Sequence, residues 1–200
     1  KNPQTQFAGD FGYRLKSTQE IGFSTSYYHE MIATAEDTYA GMLDSNLSFR
    51  DYDVWRNKKY RIGLGYMAGV TLPTSQASQF AGFRIGPWFN LLANKKTNYF
   101  KIKFSNQFGV NSYKYDTADI AGTQYNMSHY WLSSLLLEQV FGTNDQFKLG
   151  VGGVNMMTQD YQKVISRNYN IFMAVAYELQ KKYEFQFMVA SQDRRSENTN

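Results

Sequence analysis

The sequence has no cysteine and only two histidines, His29 and His129. A disulfide framework and a cysteine-based metal site are therefore excluded. No run of about 18 apolar residues occurs, so no transmembrane helix is predicted. The opening residues KNPQTQF contain neither an initiating methionine nor the pattern of a signal peptide. We therefore expect a chain that is mature, processed or truncated.

An excess of charge of one sign is also lacking. The 200 residues carry 21 Lys and Arg against 17 Asp and Glu, a formal net charge of +4. Because this excess is small and the charges are scattered, nucleic acid is not expected as a partner. No linker or low-complexity tract divides the chain, so residues 1–200 are predicted to form a single domain.

Aromatic residues, by contrast, are abundant: 16 Tyr and 15 Phe occur in a chain whose mean hydropathy is −0.53. A chain that is rich in rings yet hydrophilic on average must alternate apolar and polar residues finely. The stretch YRIGLGYMAGVTL, residues 60–72, does so. Its alternate positions read Tyr, Ile, Leu, Tyr, Ala, Val, Leu on one side and Arg, Gly, Gly, Met, Gly, Thr on the other. A period of two predicts a β-strand with one apolar face.

The same alternation recurs along the whole chain and predicts ten strands. They span residues 7–16, 20–27, 43–50, 60–72, 83–91, 100–111, 129–141, 147–152, 169–179 and 183–190. Residues 129–141 are also readable in part as a short helix and are assigned as a strand from their place in the series. Gly152 and Gly153 are interpreted as a bulge. Short polar turns at 17–20, 57–59, 94–96, 143–145 and 180–182 alternate with longer connections. The prediction is an all-β, antiparallel, up-and-down meander.

Three features favour lipid over a protein core as the environment of the apolar face. The alternating segments are about as long as the 9 to 11 residues with which a tilted strand crosses a bilayer. The polar face mixes charged residues with many glycines, which weaken a solvent-exposed strand but leave space inside a narrow barrel. Aromatic residues gather at both strand ends, as they do at membrane interfaces. The interface residues predicted on this basis are Trp55, Tyr60, Tyr99, Tyr183, Tyr27 and Tyr169. A soluble antiparallel barrel or sandwich is the alternative.

In this pattern the chain resembles the bacterial outer-membrane β-barrels, a porin-like class, over residues 7–190. The resemblance rests on strand pattern, without a family-specific motif. It implies an antiparallel up-and-down transmembrane barrel in a Gram-negative outer membrane, in contact with the lipid bilayer and with lipopolysaccharide. Five short turns on the periplasmic side would leave both chain ends outside, which is unusual. We therefore expect either a fragment lacking a strand at each end of a twelve-stranded barrel, or a complete ten-stranded barrel with its shorter connections outside.

The polar face predicts a charged lumen. Its candidate lining residues are Asp10, Arg14, Arg61, Arg84, Lys101, Lys103, Glu138, Glu178 and Glu184. The same assignment of faces also places Lys16, Glu20, Glu30, Asp44, Arg50 and Lys148 on the lumen side. Because the two signs nearly balance, they are expected to pair across the interior. Such pairs fit two functions: a structural plug, or a narrow channel whose charged ring selects ions or small polar solutes. The channel is the preferred hypothesis, and a plugged barrel that anchors or docks a partner protein is the alternative.

Enzymatic activity is not predicted, and no catalytic residue, metal or cofactor is assigned. His129 and Ser133 share a face, but four residues along a strand separate them by about 13 Å, too far for a nucleophile–base pair. An outer-membrane hydrolase is kept as a minor alternative. Lysine pairs near the short turns, Lys58-Lys59, Lys95-Lys96 and Lys181-Lys182, are expected to serve solubility and contact with lipid headgroups. The alternative is that these turns dock an acidic partner or a phosphate-bearing lipid, and the longer loops are a further surface for a protein partner.

Overall fold

The computed structural model of the chain describes residues 4–30, 40–117, 125–141, 147–179 and 183–195. These residues form antiparallel strands of up to 15 residues and one short helix. The elements in chain order are β1 (Gln4–Arg14), β2 (Gln19–Glu30), β3 (Ala40–Met42), β4 (Ser45–Asn57), β5 (Ile62–Leu72), α1 (Gln76–Phe80), β6 (Phe83–Lys96), β7 (Lys101–Val110), β8 (Ser112–Tyr113), β9 (Met127–Phe141), β10 (Phe147–Asp160), β11 (Ile165–Leu179) and β12 (Tyr183–Arg195).

The ten long strands form one sheet in the order β1-β2-β4-β5-β6-β7-β9-β10-β11-β12, and every neighbouring pair is antiparallel. Each predicted strand is present, including the ambiguous segment at 129–141, which lies within β9. The short strands β3 and β8 pair with β2 and β6 and were not predicted. The all-β antiparallel meander is thus confirmed. Among the described residues β1 and β12 do not pair with each other, so the sheet is open along these two edges.

The connections differ at the two ends of the sheet. Residues 15–18, 58–61 and 97–100 form tight turns at one end, here called the short-turn end. Its other two connections, 142–146 and 180–182, lie outside the described residues. The opposite end, the helix end, carries α1, capped by Ser75, whose hydroxyl accepts a hydrogen bond from the Ser78 N–H at 3.1 Å. Within the described ranges, no helix has the length and apolar character needed to cross a membrane.

Several connections differ from the prediction. Residues 161–164 form a tight turn where a longer connection was expected, because β10 and β11 continue to Asp160 and from Ile165. Residues 94–96, predicted as a turn, belong to β6, where Lys95 and Lys96 lie opposite Ile102 and Lys101. The strand continues through Lys95 and Lys96 because β7 supplies partners for their backbone groups.

The bulge predicted at Gly152–Gly153 is wrong. Both residues keep regular register with β9 and β11, with Gly152 opposite Phe172 and Gly153 opposite Ile171. At Gly152 and Gly153 themselves β10 is paired on both sides, so an extra residue there would disrupt two ladders. The register shifts instead between Asp51 and Trp55 in β4, and between Gln159 and Asp160 at the end of β10.

Burial on the two faces of the sheet is the reverse of what residue type would suggest, because apolar side chains are exposed and polar ones are covered. Leu91 is 55% exposed, whereas its neighbour Asn90 is only 7% exposed. The apolar face carries exposed side chains from many strands: Phe23, Leu47, Leu64, Leu91, Phe104, Leu135, Leu149, Val151 and Ile171. The polar face carries more covered residues, among them Gly22, Ser48, Gly63, Asn90, Gly109, Ser128 and Gly150. Since small polar groups are covered while large apolar groups are not, the sheet curves towards its polar face.

Phe83 departs from this pattern. It was predicted on the apolar face, yet at 7% exposure it is the one apolar residue that is buried among those described. A register shift between Phe83 and Ile85 turns its ring over Gly86, on the polar face, where it packs 5.1 Å from the Tyr113 ring. This aromatic contact covers the polar face at the helix end.

Candidate functional site

Glycines on the polar face provide the space in which charged side chains lie. A Cβ added to Gly12 would lie 2.6 Å from the Glu20 carboxylate, and one added to Gly22 would lie 2.7 Å from the Arg50 guanidinium. Real Cβ atoms do not approach that closely, so each of these ionic groups occupies the position that another residue's side chain would fill. The glycines interpreted as space-making in the sequence have this role here.

Arg50 is the centre of one ionic group, here called the arginine cluster and formed by Asp10, Glu20, Ser48 and Arg50. Its guanidinium lies 2.9 Å from Asp10 Oδ1 and 3.1 Å from Glu20 Oε1, and its Nε donates to Ser48 Oγ at 3.1 Å. The Arg50 side chain is only 12% exposed. Three strands, β1, β2 and β4, are therefore joined on the polar face by one cation with two carboxylates.

Large rings lie over other glycines of the same face. A Cβ on Gly109 would come 2.2 Å from the Tyr130 ring, and one on Gly69 would come 2.5 Å from the Trp88 ring. The Tyr130 hydroxyl also accepts a hydrogen bond from Gln107 Nε2 at 2.8 Å. These rings fill part of the concave side of the sheet, while polar hydrogen bonds such as that from Ser105 Oγ to Asn90 Oδ1 line the rest.

A second charged group surrounds a cavity of about 670 Å³ at the short-turn end, here called the basic recess. Its charged lining comprises seven basic residues and one acidic residue: Arg56, Lys58, Arg61, Lys96, Lys101, Lys103, Lys148 and Glu138. Arg56 belongs to β4 and Lys148 to β10, which lie five strand-to-strand steps apart in the sheet. At about 4.8 Å per step, a flat sheet would separate them by roughly 24 Å. One recess reached by both again indicates strong curvature.

Among the described residues that line the basic recess, the only acid is already engaged in an ion pair. Lys103 Nζ lies 2.6 Å from Glu138 Oε2, and the Glu138 side chain is 12% exposed. Lys96 and Lys101 are opposite each other in register on β6 and β7. Arg61 donates to Asn98 Oδ1 at 2.8 Å and has a φ of 52°, a left-handed conformation that is uncommon for a residue other than glycine.

The predicted lining residues fall into separate groups. Asp10 belongs to the arginine cluster, and Arg61, Lys101, Lys103 and Glu138 belong to the basic recess. Arg61, predicted within a strand, lies in the turn at 58–61 because β5 begins at Ile62.

The remaining predicted lining residues lie apart from these groups. Arg14 and Arg84 are exposed, at the end of β1 and near the start of β6. The side chains of Glu178 and Glu184 lie outside the described part of the structure, although the two residues are opposite each other in β11 and β12.

Three residues of the basic recess were missed as site residues: Arg56, Lys58 and Lys96. Arg56 follows the bulge in β4, and Lys96 lies in a strand end that was predicted as a turn. The sequence did contain a signal for Lys96. Lys96 and Lys101 flank a tight turn, and if the two strands pair as far as that turn, the two lysines must lie opposite each other.

The predicted interface aromatics lie at both ends of the sheet. Trp55, Tyr60 and Tyr99 are exposed at the short-turn end. Tyr27 and Tyr169 are exposed towards the helix end. The side chain of Tyr183 lies outside the described residues.

His129 and Ser133 have different partners. His129 Nδ1 lies 2.9 Å from Ser128 Oγ, and Ser133 Oγ donates to Asn106 Oδ1 at 3.0 Å. Among the described residues, no three or more His, Asp and Glu side chains are grouped as a metal site would require.

At the helix end, Tyr113 of β8 packs between Phe83 and Tyr161, with ring centroids 5.1 and 6.2 Å away. Burial raises the pKa of the Tyr113 hydroxyl above its ordinary value, and the negative charge of Asp44 adds to this effect. Asp44 in turn accepts hydrogen bonds from the Ser75 N–H and the Ser78 hydroxyl, which ties α1 to the start of β4.

No family model, curated protein or solved structure matches this chain.

Proposed function

We propose that the chain forms a transmembrane β-barrel of ten to twelve strands in a bacterial outer membrane. In this proposal the apolar face contacts lipid, and the polar face lines a narrow channel for ions or small polar solutes. Lipopolysaccharide would be a neighbour of the outward-facing surface, and no cofactor takes part.

The observation that carries the proposal is the inverted burial of the two faces. Leu91, Phe104 and Leu135 are 55%, 42% and 47% exposed, while Ser48 and Asn90 are nearly inaccessible. Large apolar patches on a protein in water are rare and mark an interaction surface. Here the exposed apolar residues extend over successive strands, which is an area that a bilayer would cover.

Strand length supports the same proposal. The ten long strands contain 10 to 15 residues each. A strand tilted by about 45° needs about 9 to 11 residues to cross the hydrocarbon core. The remaining residues would reach the interfaces, where Trp55 and Tyr169 lie near opposite strand ends.

A membrane environment also requires the open edges of β1 and β12 to be paired. Backbone groups without partners cost several kcal/mol each in hydrocarbon, so a sheet in a bilayer must be closed. We propose closure either by pairing of β1 with β12 or through strands that flank them in a longer chain.

Lipid quenching tests which face meets the bilayer, because the chain has three tryptophans. Trp131 and Trp55 are exposed on or beside the apolar face, whereas Trp88 lies over Gly69 on the polar face. Single-tryptophan variants, with the other two replaced by Phe, are folded into vesicles that contain brominated lipid. We expect strong quenching of Trp131 and Trp55 and little of Trp88. Quenching of Trp88 alone, in variants of normal β content, would contradict the proposal.

Conductance tests the channel function. Planar bilayers that contain the folded protein should show discrete current steps, and heat-denatured protein should show none. A second candidate function is a plugged barrel that anchors a partner, and the rings of Trp88 and Tyr130 over glycines favour it. That function predicts lipid quenching of Trp131 without current steps.

A further inference from the structure

The basic recess concentrates charge that the rest of the chain does not share. Its seven basic residues and one acid leave an excess of six positive charges, more than the +4 of the whole chain. The arginine cluster, by comparison, has one cation with two carboxylates. Among the described residues, positive charge is therefore segregated in the lining of the basic recess.

This segregation opposes folding stability. Lys96 and Lys101 are direct cross-strand neighbours, and like charges in that relation destabilise a sheet. Glu138 could offset only part of the repulsion, because its Oε2 already forms an ion pair with Lys103 Nζ at 2.6 Å. Arg61, which also lines the basic recess, has a left-handed backbone conformation. Strained conformations of this kind cluster at ligand sites.

An anion entering the basic recess would remove the repulsion. The cavity of about 670 Å³ is in the range that holds a small organic ligand. Besides the cations, Asn94, Thr97 and Asn98 supply neutral polar groups to its lining. Phosphate oxygens suit this set, since lysines bind phosphate as point charges and Arg binds it through a planar fork of donors.

We propose that the basic recess binds small soluble solutes that carry two or more phosphate groups. The proposal builds on the channel function, for which the recess would be the entrance that selects anions. A phosphate group could also arrive on a lipid headgroup, but the charged strand residues that line the recess, among them Lys101, Lys103 and Lys148, lie on the polar face of the sheet and not on the apolar face that lipid would cover. The ligand is therefore expected to be a free solute.

Calorimetric titration of the detergent-folded protein with inorganic pyrophosphate tests the site. Lys101→Gln should weaken binding at least tenfold, equivalent to about 1.4 kcal/mol. Glu138→Gln should strengthen binding several-fold, because it removes the only acid among the lining residues and keeps an oxygen for Lys103. Lys163→Gln, the same charge change in the exposed turn at the helix end, is the matched control and should leave binding unchanged. Circular dichroism checks that each variant is folded.

Two results would overturn the proposal: no pyrophosphate binding at low salt, or equal effects of Lys101→Gln and Lys163→Gln. Binding of phosphatidic acid in mixed micelles, without binding of pyrophosphate, would identify a lipid headgroup site and also contradict a free solute.

Conductance distinguishes this failure from failure of the channel. Pyrophosphate binding without current steps supports the basic recess and refutes the channel. Current steps without pyrophosphate binding and without a preference for anions would refute phosphate binding by the basic recess and would still support the channel.

Discussion

Gly109→Ala is the substitution for which the structure gives the clearest magnitude. The new Cβ would lie 2.2 Å from Tyr130 Cε1 and Cζ, whereas carbon atoms prefer separations of about 3.5–4.0 Å. The ring must therefore move by more than about 1 Å, which breaks the hydrogen bond from Gln107 Nε2 to the Tyr130 hydroxyl.

The expected loss of unfolding free energy follows from these two effects. Overpacking costs about 1–3 kcal/mol and the lost hydrogen bond about 0.5–1.5 kcal/mol. Replacing glycine by alanine also raises the free energy of unfolding by about 0.4–1 kcal/mol, because alanine restricts the unfolded chain. The net destabilisation is about 0.5–4 kcal/mol, which for a chain of this size lowers the melting temperature by about 1–16 °C.

Gly153→Ala is the matched control within the same sheet. Its Cβ would meet only the Asn170 carbonyl oxygen, at an ordinary contact distance of 3.5 Å. We expect this variant to be neutral or slightly stabilised. Thermal unfolding of the two variants in detergent micelles, followed by far-ultraviolet circular dichroism, measures the difference.

A double variant tests the cause. In a Tyr130→Ala background the ring is gone, so Gly109→Ala should add no further destabilisation. Equal melting temperatures for the Gly109 and Gly153 variants would refute the close packing described here. So would a Gly109→Ala effect that persists without the Tyr130 ring.

Two further predictions concern charge. Arg50→Met removes charge-assisted hydrogen bonds to Asp10 and Glu20 and should lower the free energy of unfolding in urea by about 1.5–3 kcal/mol. Arg56 is the control, because its side chain is 63% exposed in its ion pair with Asp53, and Arg56→Met should lower the free energy of unfolding by less than about 1 kcal/mol. Equal decreases for the two variants would contradict the arginine cluster. The raised pKa of Tyr113 stabilises the fold fully below the unfolded tyrosine pKa of about 10 and less as pH rises through the folded value. Tyr113→Phe should therefore flatten the fall in melting temperature above pH of about 10, and an unchanged slope would refute this role.

The alternation of residue types was enough to predict the strands and most faces. Lys103 and Phe104 illustrate why: in a strand, successive side chains point to opposite faces, so residue type and face are linked directly. Each of the ten predicted strands overlaps an observed one for this reason.

Strand ends and bulges could not be predicted in the same way. The shift between Asp51 and Trp55 depends on register with β5, and the inversion of Phe83 depends on a shift beside β8. One additional residue in a strand moves all the side chains that follow it to the opposite face of the sheet. Nothing in the local sequence marks the position of that additional residue. The basic recess was only partly predicted because its members Arg56 and Lys96 lie at such positions.

Among the described residues the outer edges of β1 and β12 lack a partner strand, and this bears on how the protein can be produced. In water, an open strand beside a broad apolar surface is a template for adding further copies of the chain, and such assemblies grow without limit. In the proposed barrel, edge pairing and removal of the apolar surface from water would therefore have to occur together. Protein made without lipid or detergent should accumulate as aggregates, and refolding yield should depend on how early amphiphile is added.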